Sequence, residues 1–351
     1  MNGRTAERPN RRTILLAVWR DLRDRHPWVR WAAKWGLSVV SLGSGVLTLS
    51  LFRRGLEYFP WVVGYLLLLW LAGVVFAHAR EALAARGRRL VLAAYDYTLQ
   101  SLYWHLLLFL LPIYYASATL ASRNAVFLAL LAAATLLTAV DPWYRAIILH
   151  RPWAAKLLFG FGLFVSLNVA LPLVRVRSAW ALLLAAAASV LALAPAVRRR
   201  HDLSWRAAGG AVALAAGVAA LLAWQVRAWI PPAPLALVRG TFARDVRDLE
   251  PVDAVARVTA AEVRQWGGLA CFTALAAPAG LREPIVHVWR KEGQTAARVS
   301  LSPLRGGLAG GYRTYSRITN LGANPAGRWT MDVLTAHGQL IGRVHLDLQD
   351  E

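Results

Sequence analysis

Two groups of residues in this 351-residue chain combine side chains that could do chemistry. In the first, Asp96, Gln100 and Tyr103 recur at i, i+4 and i+7, so a carboxylate, an amide and a phenol share one helix face. Ser101 and His105 form an adjoining i, i+4 pair. Ionisable groups inside an apolar helix can hold a proton or bind a polar solute. A plainer reading puts Asp96 at a membrane surface and has His105 hydrogen-bonded to another helix. In the second group, His287 and Trp289 stand two apart, as do Arg313 and Tyr315. Residues two apart in a strand share a face. Such an aromatic and basic surface can bind a glycan, a peptide carboxylate or a lipid headgroup. Its plainer counterpart is a core Trp, a hydrogen-bonded His and a structural Arg.

Nothing stronger accompanies these groups. The chain has no His-x-x-x-His, Glu-x-x-His, Walker loop or Gly-x-Ser-x-Gly. Its one cysteine, Cys271, rules out an intramolecular disulfide and a Cys-based zinc cluster. The reading leans away from an enzyme, with no catalytic residue, metal or cofactor assigned.

The elements that must position these residues follow from composition. Hydrophobic residues make up 57% of the chain, and Lys+Arg number 40 against 19 for Asp+Glu. A net charge of +21 would suggest nucleic acid if it were clustered, but it lies between long apolar runs, which is a membrane pattern and not a nucleic-acid one. A hydrocarbon core of roughly 30 Å needs about 20 apolar helical residues. Seven runs qualify or come close: 36–52, 58–77, 99–121, 124–140, 157–174, 178–197 and 207–226. The third with the fourth, and the fifth with the sixth, read as tight helical hairpins. Asp141-Pro142-Trp143 reads as the start of a short interfacial helix running to residue 150. Asn168, a lone amide in the fifth run, suits helix packing.

Alternate connections between these runs carry 20 and five basic residues. The positive-inside rule then predicts a cytoplasmic N-terminus and, after seven crossings, a periplasmic C-terminal part. Residues 1–35 form a basic arm whose Leu15, Val18, Trp19 and Leu22 fall at helical spacing. An amphipathic helix on an anionic cytoplasmic leaflet fits that pattern, and so does a purely topological role for the charges.

Residues 36–227 are thus read as a transmembrane domain. The stretch 228–235, with Pro231, Pro232 and Pro234, reads as a stiff extended linker. Beyond it the pattern changes to alternation, and residues 236–351 read as a small all-β domain. Candidate strands are 236–244, 268–276, 284–291, 295–302, 312–319, 328–335 and 339–348. Hairpin turns are expected at Lys291-Glu292-Gly293-Gln294 and at Ala336-His337-Gly338. Residues 259–266 read as a short helix or a loop. About seven strands in this length fit an immunoglobulin-like β-sandwich lacking the inter-sheet disulfide.

Five ordered motifs in this part carry a resemblance. They are Glu250-Pro251-Val252-Asp253, Cys271-Phe272-Thr273, His287-Val288-Trp289, Tyr312-Arg313-Thr314-Tyr315-Ser316 and Gly327-Arg328-Trp329-Thr330-Met331-Asp332-Val333. Over about 240–351 the chain resembles a bacterial domain of unknown function that often follows membrane segments. Tyr312 stands where that family often has Trp, and Arg317 where it often has a second Ser. The resemblance implies a β fold and a cell-envelope setting, and brings no activity with it. The helical half resembles the multi-pass segment such proteins carry.

The expectation is therefore a bacterial inner-membrane protein that presents a periplasmic β domain to an envelope protein, glycan or lipid headgroup. A transporter or channel using the polar third span is the alternative, and an intramembrane or lipid-modifying enzyme comes third.

Overall fold

The computed structural model describes residues 89–350, together with isolated helical positions at Trp31, Trp35, Gly36, Val39, Gly43 and Gly64. The basic arm 1–35 and the first two predicted spans, 36–52 and 58–77, otherwise lie outside the described residues.

The helical part runs α1 (Arg89–Ala116), α2 (Asn124–Ala139), α3 (Asp141–Tyr144, continued as a π-helix Arg145–Leu149), α4 (Pro152–Leu173), α5 (Ser178–Leu191), α6 (Ala194–His201) and α7 (Trp205–Gln225). Among the described residues four helices are long and apolar enough to cross a membrane, counting α5 and α6 as one: Tyr95–Ala116, Pro152–Leu173, Ser178–His201 and Trp205–Gln225. A fifth arises if α2 and the 141–149 helix are one broken span, bent by 98°. The break follows from sequence. Pro142 cannot donate to a continuing ladder, and Val140, extended at φ −101° and ψ 102°, caps the next helix. The cap therefore falls on Val140, one residue before the expected Asp141.

Apolar side chains hold α1, α2, α4 and α5 together. Leu107, Leu110, Tyr114, Leu131, Val165, Val169 and Leu182 are all fully buried in one cluster. Elsewhere the helices expose Leu130, Leu157, Leu184, Leu214 and Leu221. A helix apolar on every side needs a nonpolar surround on the faces its neighbours leave open.

The β-rich domain follows: β1 (Ala236–Arg247), β2 (Glu250–Val255), β3 (Arg257–Thr259), α8 (Ala260–Trp266), β4 (Leu269–Ala276), β5 (Arg282–Glu283), β6 (Ile285–Lys291), β7 (Gln294–Ser300), β8 (Leu304–Arg305), β9 (Tyr312–Ile318), β10 (Gly327–Thr335) and β11 (Leu340–Gln349). All seven expected strands are present, and β2, β3, β5 and β8 are additional. One sheet has the order β2-β1-β4-β9, a second β3-β11-β10-β6-β7, and β5 pairs with β8 alone. The two large sheets share a core built from Phe242, Leu269, Cys271, Leu275, Trp289, Trp329, Met331 and Val333. Where β1 crosses β11 the backbones come close. A Cβ at Gly240 would strike Val344 and one at Gly342 would strike Leu237, so both positions require glycine.

Both expected hairpin turns form. Glu292 and Gly293 take φ +45° and +80° between β6 and β7, and Gly338 takes φ +87° between β10 and β11. The 259–266 segment is a helix because of its cap. Thr259 Oγ1 accepts from the Glu262 backbone N–H at 3.2 Å, and Glu262 Oε2 accepts from the Thr259 backbone N–H at 2.9 Å. Donation from the Thr259 backbone N–H, and from its hydroxyl at 2.9 Å, holds the Glu262 carboxyl below its usual range. Thr259→Ala is expected to cost about 1 kcal/mol of β-domain stability, read as a lower denaturation midpoint; no shift would remove the cap as the reason for this helix.

The proline stretch departs from expectation. Ile230, Pro231, Pro232, Ala233, Pro234 and Leu235 are all buried. It folds into consecutive turns, with Ala233 N–H donating to the Pro231 carbonyl and Leu235 N–H to the Pro232 carbonyl. This segment is packed interior and not an extended spacer, because the β domain docks directly on the end of the bundle.

Candidate functional site

The inward face of β6 carries Ile285, His287 and Trp289. His287 and Trp289 are fully buried. Opposite them β4 offers Thr273 and β9 offers Ser316. Trp289 Nε1 donates to Ser316 Oγ at 2.9 Å, and the Phe242 ring meets Trp289 edge-on at 5.5 Å. His287 Nδ1 lies 2.8 Å from Ser316 Oγ, and Nε2 lies 3.2 Å from Thr273 Oγ1. Ser316 Oγ accepts from Trp289, so its own proton is free to go to His287 Nδ1. That leaves Nε2–H to donate to Thr273 Oγ1, whose proton can reach the Thr314 carbonyl at 3.5 Å. One consistent direction of donation satisfies every member, with a neutral imidazole. Burial pushes His287 down to about 4.

Arg313 and Tyr315 belong to the other parity of β9, where Thr314 and Ser316 already point inward. The four residues expected to share one binding surface are therefore split. His287 and Trp289 lie in the core, and Arg313 and Tyr315 lie outside it. Each strand's alternation is as read, but only the facing sheet decides which side is interior.

Around Arg313 and Tyr315 the outer face of the β2-β1-β4-β9 sheet assembles residues that spacing alone could not join. Registers align Arg239 with Ala274 and Arg313, and Thr241 with Phe272 and Tyr315. Arg239 lies over the Phe272 ring at 5.6 Å. Glu250 on β2 pairs with both Arg239, at 3.3 Å, and Arg313. Farther along, Asp245 pairs with Arg317 at 3.3 Å and Arg247 at 3.5 Å. Each acid is thus shared by two guanidiniums, leaving one positive charge in excess per group. Tyr315, 42% exposed, stands between Arg313 and Arg317 on the strand. This surface can meet a planar or anionic group with stacking and forked hydrogen bonds. The signal for Arg239 and Glu250 was absent from the sequence because only strand register brings them together.

The polar helix α1 distributes its candidates differently. Gln100 is buried and reaches across to α3, donating from Nε2 to Asp141 Oδ1 at 2.7 Å and to the Thr138 carbonyl at 3.0 Å. Tyr103 is buried against Gly162 of α4. His105 Nδ1 lies 2.7 Å from the Ser101 carbonyl of its own helix. Asp96 is half-buried one turn before Gln100. Gln100 thus ties α1 to the break between α2 and α3, where Asp141 is the buried carboxylate. Asn168 Nδ2 donates to Tyr114 Oη at 3.1 Å, and Tyr114 donates to the Val165 carbonyl at 3.0 Å, joining α1 to α4. Among the described residues no group of His, Cys, Asp or Glu is disposed to hold a metal.

A third polar region lies where the bundle meets the β domain. Arg343 on β11 donates to Asp332 and also to the Ala121 carbonyl, at 3.3 Å, in the α1–α2 turn. Asn124 Nδ2 lies 3.4 Å from the Leu340 carbonyl. Arg227, beyond α7, donates from Nε to the His337 carbonyl at 2.7 Å while lying over the Trp224 ring. Gln339 Nε2 donates to the Ile230 carbonyl at 3.3 Å. Glu283 Oε2 accepts from the Ser178 backbone N–H, at the start of α5, at 2.9 Å. Arg175, at φ +70°, sits against Gly280.

Residues 14–270 match a family of unknown function, DUF5924, and residues 282–347 match a protein of unknown function, DUF2914. No curated protein matches the chain. The alkylpurine DNA glycosylase AlkC of Pseudomonas fluorescens, solved with DNA containing an abasic site analog, aligns with 95% of this chain and 96% of its own. Its identity is 12% and its TM-score 0.22, too low for any argument about fold or function.

Proposed function

Because the chain belongs to DUF5924, a family of unknown function, we propose its role from its geometry: a multi-pass protein of the bacterial inner membrane that holds a periplasmic β domain against an envelope partner. The partner is a protein, glycan or lipid headgroup, and it meets the outer sheet face around Arg239, Glu250, Arg313 and Tyr315. In this reading the chain crosses seven times, with 36–52 and 58–77 as the first two spans, and the N-terminus is cytoplasmic. The β domain is immunoglobulin-like in its two-sheet packing.

The observation that carries the reading is a division of labour between the sheets. The β10–β11 end of one sheet is occupied in docking on the bundle, while the outer face of the other keeps guanidiniums and a tyrosine in solvent. Orientation draws support from the same contacts. The β domain touches the turns holding Arg123 and Arg175 with Arg177, and the segment after α7. These are the basic-poor connections. The richer ones, 141–156 and 198–206, make none of these contacts.

A photo-crosslinking phenylalanine at Tyr315 in living cells tests the binding face. A discrete adduct is expected, lost when Arg239 and Arg313 are both changed to Glu. No adduct, or one indifferent to those charges, would remove this face as the binding site. Arg313→Ala should move the melting temperature little, since an exposed ion pair contributes about 0–1 kcal/mol. The transporter reading draws on the buried Gln100–Asp141 pair at the α2–α3 break. Solute flux into liposomes abolished by Asp141→Asn, Asp96→Asn or His105→Ala would favour it over binding.

A further inference from the structure

Glu283 is a buried acidic residue of the β domain turned into the docking junction. Its side chain is 1% exposed. Oε2 accepts the Ser178 N–H, but Oε1 has no partner, and neither does the neighbouring Ser178 Oγ, itself on a residue 2% exposed. Among the described residues no basic side chain stands within ion-pair distance of Glu283. His337 on the β10–β11 hairpin and Arg177 before α5 favour its charged form only from farther away. Arg175 is packed on Gly280 nearby, while Arg282 and Arg305 of the β5–β8 pair complete the charged surroundings.

A carboxylate in this position is stabilised by one backbone N–H and the start of a 14-residue helix. It is opposed by almost complete loss of water and by an oxygen with nothing to bond. A neutral carboxyl removes that opposition. It can still accept from Ser178 N–H and leaves no buried charge to be desolvated. When the β domain lifts from the bundle, Glu283 returns to water and the preference disappears.

We propose that docking of the β domain on the helical bundle takes up a proton at Glu283, making the junction a proton-linked latch. The sign follows from linkage. Burial raises Glu283 above its ordinary value, ahead of the lowering by Ser178, His337 and Arg177. Docking is then fully favoured below the ordinary carboxyl range and weakens as pH rises through the docked-state value. His287, inside the sandwich, titrates with the opposite sign, so the two cannot be confused.

The full-length protein in lipid nanodiscs provides the test. Spin labels at Leu120→Cys and Leu308→Cys, both exposed, straddle the junction, and Cys271 is buried and stays unlabelled. At pH 5.5 one inter-label distance is expected. As pH rises a second, longer population should grow, by up to tenfold per pH unit between the ordinary carboxyl value and the docked-state value, and then level off. Glu283→Gln, a neutral isostere, should keep the single distance throughout, and His337→Asn should keep the wild-type profile. A wild-type distribution that ignores pH, or a pH response that survives in E283Q, overturns the proposal. Should E283Q fail to fold, infrared difference spectra of the wild type decide. A protonated-carboxyl band that disappears as the long distance grows supports the latch, and its absence overturns it.

Discussion

Trp289→Ala is expected to remove about 3–5 kcal/mol from the β domain, the range for emptying a buried aromatic site. The indole is fully enclosed, touches Phe242 edge-on and donates to Ser316. Its loss leaves a cavity between the sheets and strips Ser316 of its donor, so the bond network to His287 loses its start. Against a typical domain stability of about 5–15 kcal/mol, such a loss is enough to unfold a marginal domain. Denaturation of the full-length protein, followed by amide exchange in β6, β9 and β10, reads the effect strand by strand. A loss below about 1 kcal/mol would mean that Trp289 is not the centre of this core.

The second large effect is a pH dependence. His287 binds its proton near pH 4 in the folded domain and near 6.5 when unfolded. The unfolded chain therefore holds more protons between those values, and stability rises with pH across that window. The contribution is fully present above about pH 6.5 and lost as pH falls through 4, amounting to about 3 kcal/mol. Stability of the wild type should fall between pH 6.5 and 4, and His287→Gln should flatten that fall while lowering stability at neutral pH. Parallel profiles for the two proteins would place the titration elsewhere. An exposed His287 would leave the melting temperature indifferent to its loss; one buried between Thr273 and Ser316 does not.

Local pattern was legible in this sequence, and association was not. Alternation in 339–348 puts Leu340, Val344, Leu346 and Leu348 on one face and Ile341, Arg343, His345 and Asp347 on the other. The first four are interior and His345 and Asp347 exposed, but Ile341 is buried in the core beside the register shift opposite Leu340. Helices stand where five of the apolar runs lie, from 99–121 to 207–226. What failed was the step from face to environment. His287-x-Trp289 and Arg313-x-Tyr315 are each two-residue steps, yet one lines the core and the other leaves it. The difference lies in Thr273 and Ser316, small hydroxyls on partner strands that leave room for an imidazole and an indole. The same limit hid Arg239 and Glu250, which reach Arg313 only through register. Likewise Pro231 to Pro234 have the local stiffness of a spacer, and nothing in those residues announces that the hairpin at His337 and the turn at Arg123 will close over them.

The division of the two matched families falls at Ala270 and Arg282, whereas the core ignores it. Strand β4, Leu269–Ala276, is severed by the first boundary, and its inward Cys271, Thr273 and Leu275 fall in the gap between the two segments. A fragment limited to 282–347 would keep Trp289, Trp329 and Met331 but forfeit β1 and β4, the strands that cover them. It would be a half-shell with its hydrophobic lining turned outward. Any polypeptide bearing that second segment without the first must borrow two strands, from its own preceding residues or from a companion, before those tryptophans can leave water.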